Sequence, residues 1–422
     1  MSFQFKNYSF DEALKQANFE YVNNGIEFKE SITFSRVVEG FNSEVLEKAL
    51  FLAFILIGTS YYKTFPTQQV ELLVGEIDEW QAEFFSSVYQ DGLSQFASEN
   101  KIARSDLAHF VASSTDSRAI DYTATDQSPL VLQSGGKDSL LLAMLLGQKP
   151  TTFDAWYLSS GNSYPQVLNT IGSSLITAMR CIDREKLTSA RDQGALDGHV
   201  PVTYIVQAIA LVQAVLLGKD TVLLAIGHEG EESYAHIGDL PVRHQWSKIW
   251  ESEKQFVTYV QKYVSPSVKV GSPLRQYSEL KVAELFVKNC WTAYSGSFSS
   301  CNVGNYKQGQ DNSTLGWCGN CPKCANSFIL FAPFVASDDL KRVFNGENLL
   351  VKSTLQDTFK GLLGIDGVEK PFECIGEEAE LRLAYHIAHS KDSAYELPFT
   401  VPESNFDYNA TYEYQTWTDT YI

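Results

Sequence analysis

The sequence predicts an α/β protein built on a parallel sheet, with an α+β unit ahead of it and a helical segment behind. Three observations carry this. Between residues 128 and 330, short apolar runs alternate with helical patterns, the rhythm of a parallel sheet covered on both faces. A glycine turn, Ser134-Gly135-Gly136, joins one such run directly to an apolar helix. The flanks break the rhythm, with mixed strand and helix patterns before it and helical ones after. The expected division is residues 1–125, 126–330 and 331–422.

In the first unit, Phe28-Lys29-Glu30-Ser31-Ile32-Thr33-Phe34 sets apolar positions among polar ones, as a strand does. Glu44 to Ile57 reads as an apolar helix ending near Gly58, and Glu76 to Phe96 has helical periodicity with a polar outer face. The polar stretch from Ser113 to Ser128 reads as a linker. The middle then offers strands at Leu130–Leu132, Thr152–Leu158, Thr221–Ile226 and near Val268, with helices at Leu140–Leu146 and Thr203–Leu217. Glu377 to Ser390 is the clearest later helix. The tyrosine-rich end, Asn405 to Ile422, reads as a loosely ordered segment or an interaction tail.

The 422 residues suffice for two or three domains, each with its own core. A formal charge of −18 repels polyanions, which weighs against a nucleic-acid partner. The strongly apolar stretch Ala49–Ile57 is too short to span a bilayer and reads as part of a buried helix, so no membrane role is expected. The first residues lack the apolar stretch and small-residue cleavage site of a signal peptide, and a cytoplasmic location is expected. Of seven cysteines, four fall between residues 301 and 324, a metal pattern more than a disulfide framework.

Ser134-Gly135-Gly136-Lys137-Asp138-Ser139, between strand and helix, predicts a phosphate cradle of backbone N–H groups at a helix start. Lys137 adds positive charge, Asp138 can hold magnesium, and Ser134 and Ser139 supply hydroxyls. The spacing is not that of G-x-x-x-x-G-K-[ST], because Asp138 follows the lysine and Val131 stands where the first glycine should be. The string resembles the PP-loop of the ATP pyrophosphatases, with their adenine nucleotide alpha hydrolase-like fold. That resemblance implies cleavage of ATP to AMP and pyrophosphate with adenylation of a substrate oxygen.

Cys318, Cys321 and Cys324 repeat every third residue, and Cys301 can close a tetrahedron around one zinc ion. Four thiolates leave no position for water, so the site is structural; an iron–sulfur cluster could use the same ligands. Several polar strings surround these motifs. His199 and Thr203 either flank a plain helix start at Pro201 or lie beside ATP. Glu229, after an apolar strand, could meet metal, ribose or a substrate amine. Arg243, His244 and Lys248 form a basic island that is either solvated or a pocket for carboxylates and phosphates, and Arg275 is similar. Cys374 is either a small buried hydrophobe or a thiol activated at a helix start.

The phosphate loop, the His199-Val200-Pro201 string and the four cysteines together resemble 7-cyano-7-deazaguanine synthase, over the middle of the chain only. A wider resemblance is carried by Gly58 to Lys63, Gly198 to Thr203, His244 to Lys248, Phe298 to Asn302, Trp317 to Cys324 and Lys370 to Gly376. These strings are similar to the glycopeptidyl-glutamate epimerases, which act on UDP-N-acetylmuramoyl-L-alanyl-L-glutamate, nearly end to end. The resemblance implies an ATP- and magnesium-supported inversion of the terminal L-glutamate, in peptidoglycan precursor synthesis. Ser134 to Ser139 would then serve ATP, Asp138 magnesium, and Arg243, Lys248 and Arg275 the substrate's carboxylates and phosphates. His244 and His228 are the expected proton carriers, with Glu229 or Cys374 as alternatives. An epimerase of another glutamyl peptide, a deazapurine synthase and a non-catalytic nucleotide-binding zinc scaffold remain as rival expectations.

Overall fold

The computed structural model describes residues 2–114, 118–305, 313–414 and 417–422. Parts of the expected linker (115–117), of the cysteine loop (306–312) and of the tail (415–416) lie outside the described residues. Among the described residues there are eleven strands, β1 (Phe3–Asp11), β2 (Gln16–Asn23), β3 (Ile26–Phe34), β4 (Val70–Leu72), β5 (Leu130–Leu132), β6 (Asp154–Ser159), β7 (Leu175–Cys181), β8 (Thr221–Leu223), β9 (Ala235–Ile237), β10 (Leu240–Val242) and β11 (Lys269–Gly271).

Nine of them form one sheet, in the order β11-β8-β5-β6-β7-β3-β2-β1-β4. β11, β8, β5 and β6 run parallel, as the apolar runs predicted, and β7 joins them parallel to β6. β7 then pairs antiparallel with β3, so the meander β1–β3 extends the same sheet. β7 carries no clear strand signal in the sequence, because its buried residues are interrupted by polar Thr177 and Arg180. Arg180 explains itself in the structure: it pairs with the buried Glu30 of β3 at 2.6 Å, while Tyr61 Oη donates to the same carboxylate at 2.7 Å. A charge inside the seam is tolerated because each partner is satisfied there.

Alternate residues of the meander, among them Phe3, Phe5, Phe19, Tyr21, Phe28 and Ile32, are buried against the Ser43–Tyr62 helix. That helix passes through Gly58 instead of stopping at it. A Cβ at Gly58 would lie 2.7 Å from both Phe5 Cε1 and Tyr89 Oη, so glycine there serves close packing. At 20 residues the helix is long and apolar enough to cross a membrane, contrary to the shorter expectation, but 89% of its apolar window is buried inside the protein. The single helix expected over Glu76–Phe96 is two, Glu79–Gln90 and Ser94–Asn100. Asp78 and Gln81 form a capping box that starts the first, and the break falls at Gly92, where a Cβ would meet the Val88 carbonyl at 2.4 Å.

A second core gathers the Lys137–Gly147, Glu279–Tyr294, Pro322–Phe331, Gln356–Leu362 and Glu378–Lys391 helices. The tail is not loose where it is described. Tyr412 N donates to Gln276 O at 3.0 Å, and Thr418, fully buried, donates to Ser272 O at 3.1 Å beside β11.

Candidate active site

β5 and β8 are neighbours, and both run out at the same edge. After β5, Gly135 takes φ +78°, and a Cβ there would sit 2.4 Å from Leu315 Cδ1, so only glycine fits. Gly136 caps the Lys137–Gly147 helix without a side chain of its own, leaving the first-turn N–H groups and the positive helix end for an anion. The serines brace this turn from within: Ser139 Oγ accepts from Ser134 N and donates to Gly136 O, each at 3.2 Å, and Ser134 Oγ accepts from Gly136 N at 3.3 Å.

Lys137 is buried, with Nζ 2.7 Å from Asp138 Oδ1 and 3.6 Å from Glu279 Oε2. Beyond β8, the buried Glu229 pairs with Lys248 at 3.0 Å. Burial works against the Lys137 charge, yet the Asp138 and Glu279 carboxylates hold its pKa above the ordinary lysine value. Burial pushes Glu279 up from the usual carboxyl range, with Lys137 opposing; burial also opposes the Asp138 charge, but the ammonium of Lys137 and its hydrogen bond keep that carboxyl low. Lys323 adds a further positive charge felt by Asp138 and Glu279.

The second half of the site is a cluster of His244, Glu373 and Cys374, whose donor atoms all lie within 4.8 Å of one another. Asn302 Nδ2 donates to both Glu373 oxygens, at 2.9 and 3.1 Å, and the Cys374 N–H donates to Glu373 Oε1 at 3.1 Å. The His199 ring packs 4.5 Å from that of His244. Burial lowers His244 to about 4 and His199 to about 3, so both imidazoles are neutral at neutral pH. Lys248 joins the halves. Burial opposes its charge, but Cys374 and Glu229 both act on its ammonium and raise its pKa.

Other expected residues fall elsewhere. Arg275 is 1% exposed and is fully engaged: Nε donates to Glu253 at 2.9 Å, Nη2 reaches the same carboxylate, and Nη1 donates to the carbonyls of Gly227 and Lys248 at 2.8 Å each. Its fork holds the loop after β8 and offers no free edge to a substrate. His228 lies under the tail, stacked on Tyr412 at 3.6 Å and 9° with Nδ1 bonded to Tyr414 Oη, and burial lowers it to about 4. Arg243 is half-buried and donates through Nε to Glu231 O at 3.2 Å. Thr203 is half-buried in the first turn of the Val202–Leu216 helix, whose cap is Pro201.

The four cysteines converge as their spacing predicted. Sulfur separations are 3.6 Å for Cys301–Cys321, 3.7 Å for Cys318–Cys324 and 3.6 Å for Cys321–Cys324. A tetrahedral zinc with Zn–S of about 2.3 Å sets its sulfurs about 3.8 Å apart, so the donor set fits one ion. Backbone N–H groups of Gly304, Gly319 and Asn320 point at the sulfurs of Cys301, Cys324 and Cys318, which offsets thiolate charge. Ser299 N donates to Gly135 O at 3.2 Å and ties this corner to the glycine turn.

Glu279, Lys323, Asn302 and Glu373 complete the clusters; none carries a signal of its own in the sequence, although each stands inside or beside a string that does. Gln95 carried no local signal at all.

The chain matches the family model described as the MurL N-terminal domain over residues 1–272 and that of the MurL C-terminal domain over residues 297–406. It belongs to the MurL family. A UDP-N-acetyl-alpha-D-muramoyl-L-alanyl-L-glutamate epimerase of Xanthomonas oryzae pv. oryzae is 32% identical, over 83% of this chain and 77% of its own length. One from Salinispora tropica is 29% identical, over 97% of this chain and 91% of its own length.

Proposed function

We propose that this protein is an isomerase that inverts the terminal L-glutamate of UDP-N-acetylmuramoyl-L-alanyl-L-glutamate to D-glutamate, with ATP consumed as a second substrate, in peptidoglycan precursor synthesis. The observation that carries the reading is the junction at Lys248: one side is the glycine turn with its carboxylates and lysines, the other is Cys374 with His244. A carboxylate activated at the first would present its neighbouring C–H to the second.

The order of events follows from acidity. Removing the alpha proton beside an ionised carboxylate piles a second negative charge on the first. Adenylating that carboxylate removes the charge, and the carbonyl can then delocalise the carbanion. The first-turn N–H groups, Lys137 and Lys323 would hold and neutralise ATP phosphates. Asp138, Glu229 and Glu279 would hold magnesium, which supplies charge neutralisation to the triphosphate. Cys374 and His244 would move the alpha proton, return of a proton to the opposite face inverts the centre, and water then cleaves the acyl-adenylate to release the D-glutamyl product and AMP. The half-buried Arg243 is left to meet a phosphate or carboxylate of the substrate; His199 supports His244 in place of touching ATP.

Sulfur separations matched to a single ion support zinc over a multi-iron cluster, whose bulk would hold its thiolates farther apart. That zinc would fasten the corner carrying Leu315 and Asn302 against the two halves of the site. A UDP-linked substrate and ATP support a cytoplasmic setting for the reaction.

The test is incubation with ATP, magnesium and the L-glutamyl nucleotide-peptide in deuterium oxide, followed by chiral analysis of the released glutamate. D-Glutamate carrying deuterium at the alpha carbon, with AMP and pyrophosphate formed, is expected. D-Glutamate without deuterium would refute the carbanion route, and turnover only with 7-carboxy-7-deazaguanine and ammonia would favour the synthase.

A further inference from the structure

The His244 ring is oriented by a residue 149 positions earlier in the chain. Gln95, 6% exposed in the Ser94–Asn100 helix, places Oε1 2.6 Å from His244 Nδ1, while its Nε2 donates to Glu99 Oε1 at 2.8 Å. A carboxylate can only accept, so the amide nitrogen must face Glu99 and the amide oxygen must face the ring. That orientation has a chemical consequence: an oxygen at 2.6 Å requires the proton on Nδ1. Since the ring is neutral, Nε2 then carries a lone pair, and it has no hydrogen-bond partner among the described residues.

We propose that Gln95 is a positioning residue for alpha-proton exchange, fixing His244 as the Nδ1–H tautomer so that Nε2 takes and returns the proton of Cys374. The proposal rests on the reading that Cys374 and His244 serve the stereocentre. In the balanced step, the Cys374 S–H bond breaks and its proton forms N–H at His244 Nε2. The sulfur, keeping the electron pair, takes the substrate's alpha proton, and the C–H pair remains on carbon, delocalised into the activated carbonyl. Nε2 then gives its proton up through solvent, which protonates the opposite face of the carbon and leaves the ring neutral and Cys374 as S–H. No electron is gained or lost overall. The imidazolium formed in passing keeps its Nδ1–H on the Gln95 oxygen throughout.

The charged and titratable groups around His244 are Glu99 behind Gln95, His199 against its face, Glu373 and Cys374 with donor atoms within 4.8 Å of a ring nitrogen, and Lys248 and Lys323. Only Glu99 acts through Gln95, which makes a swap informative. Gln95→Leu removes the oxygen at similar volume, whereas Gln95→Glu with Glu99→Gln exchanges the two groups and still leaves an acceptor at Nδ1.

The experiment measures three quantities for the full-length protein: substrate-dependent ATP–pyrophosphate exchange, deuterium uptake at the alpha carbon, and the thermal midpoint. Gln95→Leu should slow deuterium uptake about 10- to 100-fold, less than the roughly 10²- to 10⁴-fold of a complete general acid–base loss because the His244 ring itself remains, with KM and ATP–pyrophosphate exchange unchanged. The swapped pair should restore uptake and move the acidic limb of its pH profile upward, because a carboxylate at Nδ1 favours the imidazolium. Wild-type uptake in Gln95→Leu, with Cys374→Ala inactive, would overturn the role of Gln95 alone. Wild-type uptake in Cys374→Ala would overturn the underlying reading instead. Failure of the swapped pair to rescue, at an unchanged thermal midpoint, would also refute the tautomer argument.

Discussion

Replacing Arg275 with methionine tests whether this arginine holds the fold or the substrate. The side chain is 1% exposed and its partner Glu253 is 4% exposed, so neither charge is relieved by water. Methionine keeps much of the volume but removes the donors to Glu253 and to the Gly227 and Lys248 carbonyls, leaving a carboxylate buried without its counter-charge. Breaking a buried pair in this way costs about 3–5 kcal/mol. At about 2.1 cal/mol/K of unfolding entropy per residue, 422 residues give about 0.9 kcal/mol/K, so the thermal midpoint should drop by about 3–6 °C. Differential scanning calorimetry reads this directly. Adding Glu253→Leu should recover most of the loss, because the stranded charge is gone. A single variant with an unchanged midpoint and a large rise in substrate KM would refute the structural assignment.

Gly135→Ala should abolish ATP turnover while bound metal stays at parent level, because the new Cβ meets Leu315 at 2.4 Å in a left-handed turn; kinetics beside metal analysis checks both. Cys321→Ser should lose the metal and open the 298–326 corner to protease before the rest of the chain; an intact corner without metal would contradict this. Stability should depend on pH from two sides. His199 and His244 stay neutral in the folded protein to about 3 and about 4, so the unfolded chain binds more protons as pH falls below about 6.5 and their contribution is lost. Glu380, raised by burial to about 8, keeps its proton when folded, so its contribution is present in acid and lost as pH rises toward 8. Urea midpoints across pH 4–9 for the parent and for Glu380→Gln should show the alkaline fall only in the parent.

The parts legible in the sequence are those whose chemistry is local. The Ser134–Ser139 turn needs only its own glycines and the adjoining strand and helix, and three cysteines at a repeat of three announce themselves. Cys301 needed only the fold to bring it in. Lys248 and Glu229 were both visible, but their pairing depends on two loops meeting. Arg275 misled because an arginine in a polar string looks the same whether it faces solvent or a buried glutamate 22 residues earlier. Gln95 lies 149 residues from His244, and nothing in its neighbourhood marks an amide as a tautomer switch. The tail's tyrosines read as loose because composition does not reveal the ring of His228 beneath them.

The antiparallel join between β3 and β7, closed over Ser31–Phe34 and Ala178–Cys181, bears on how this architecture can be divided. A cut after residue 125 would bare a row of unpaired amides on each fragment, and such rims adhere to whatever strand they meet. Co-expressed pieces should find each other and zip together, while either alone should clump.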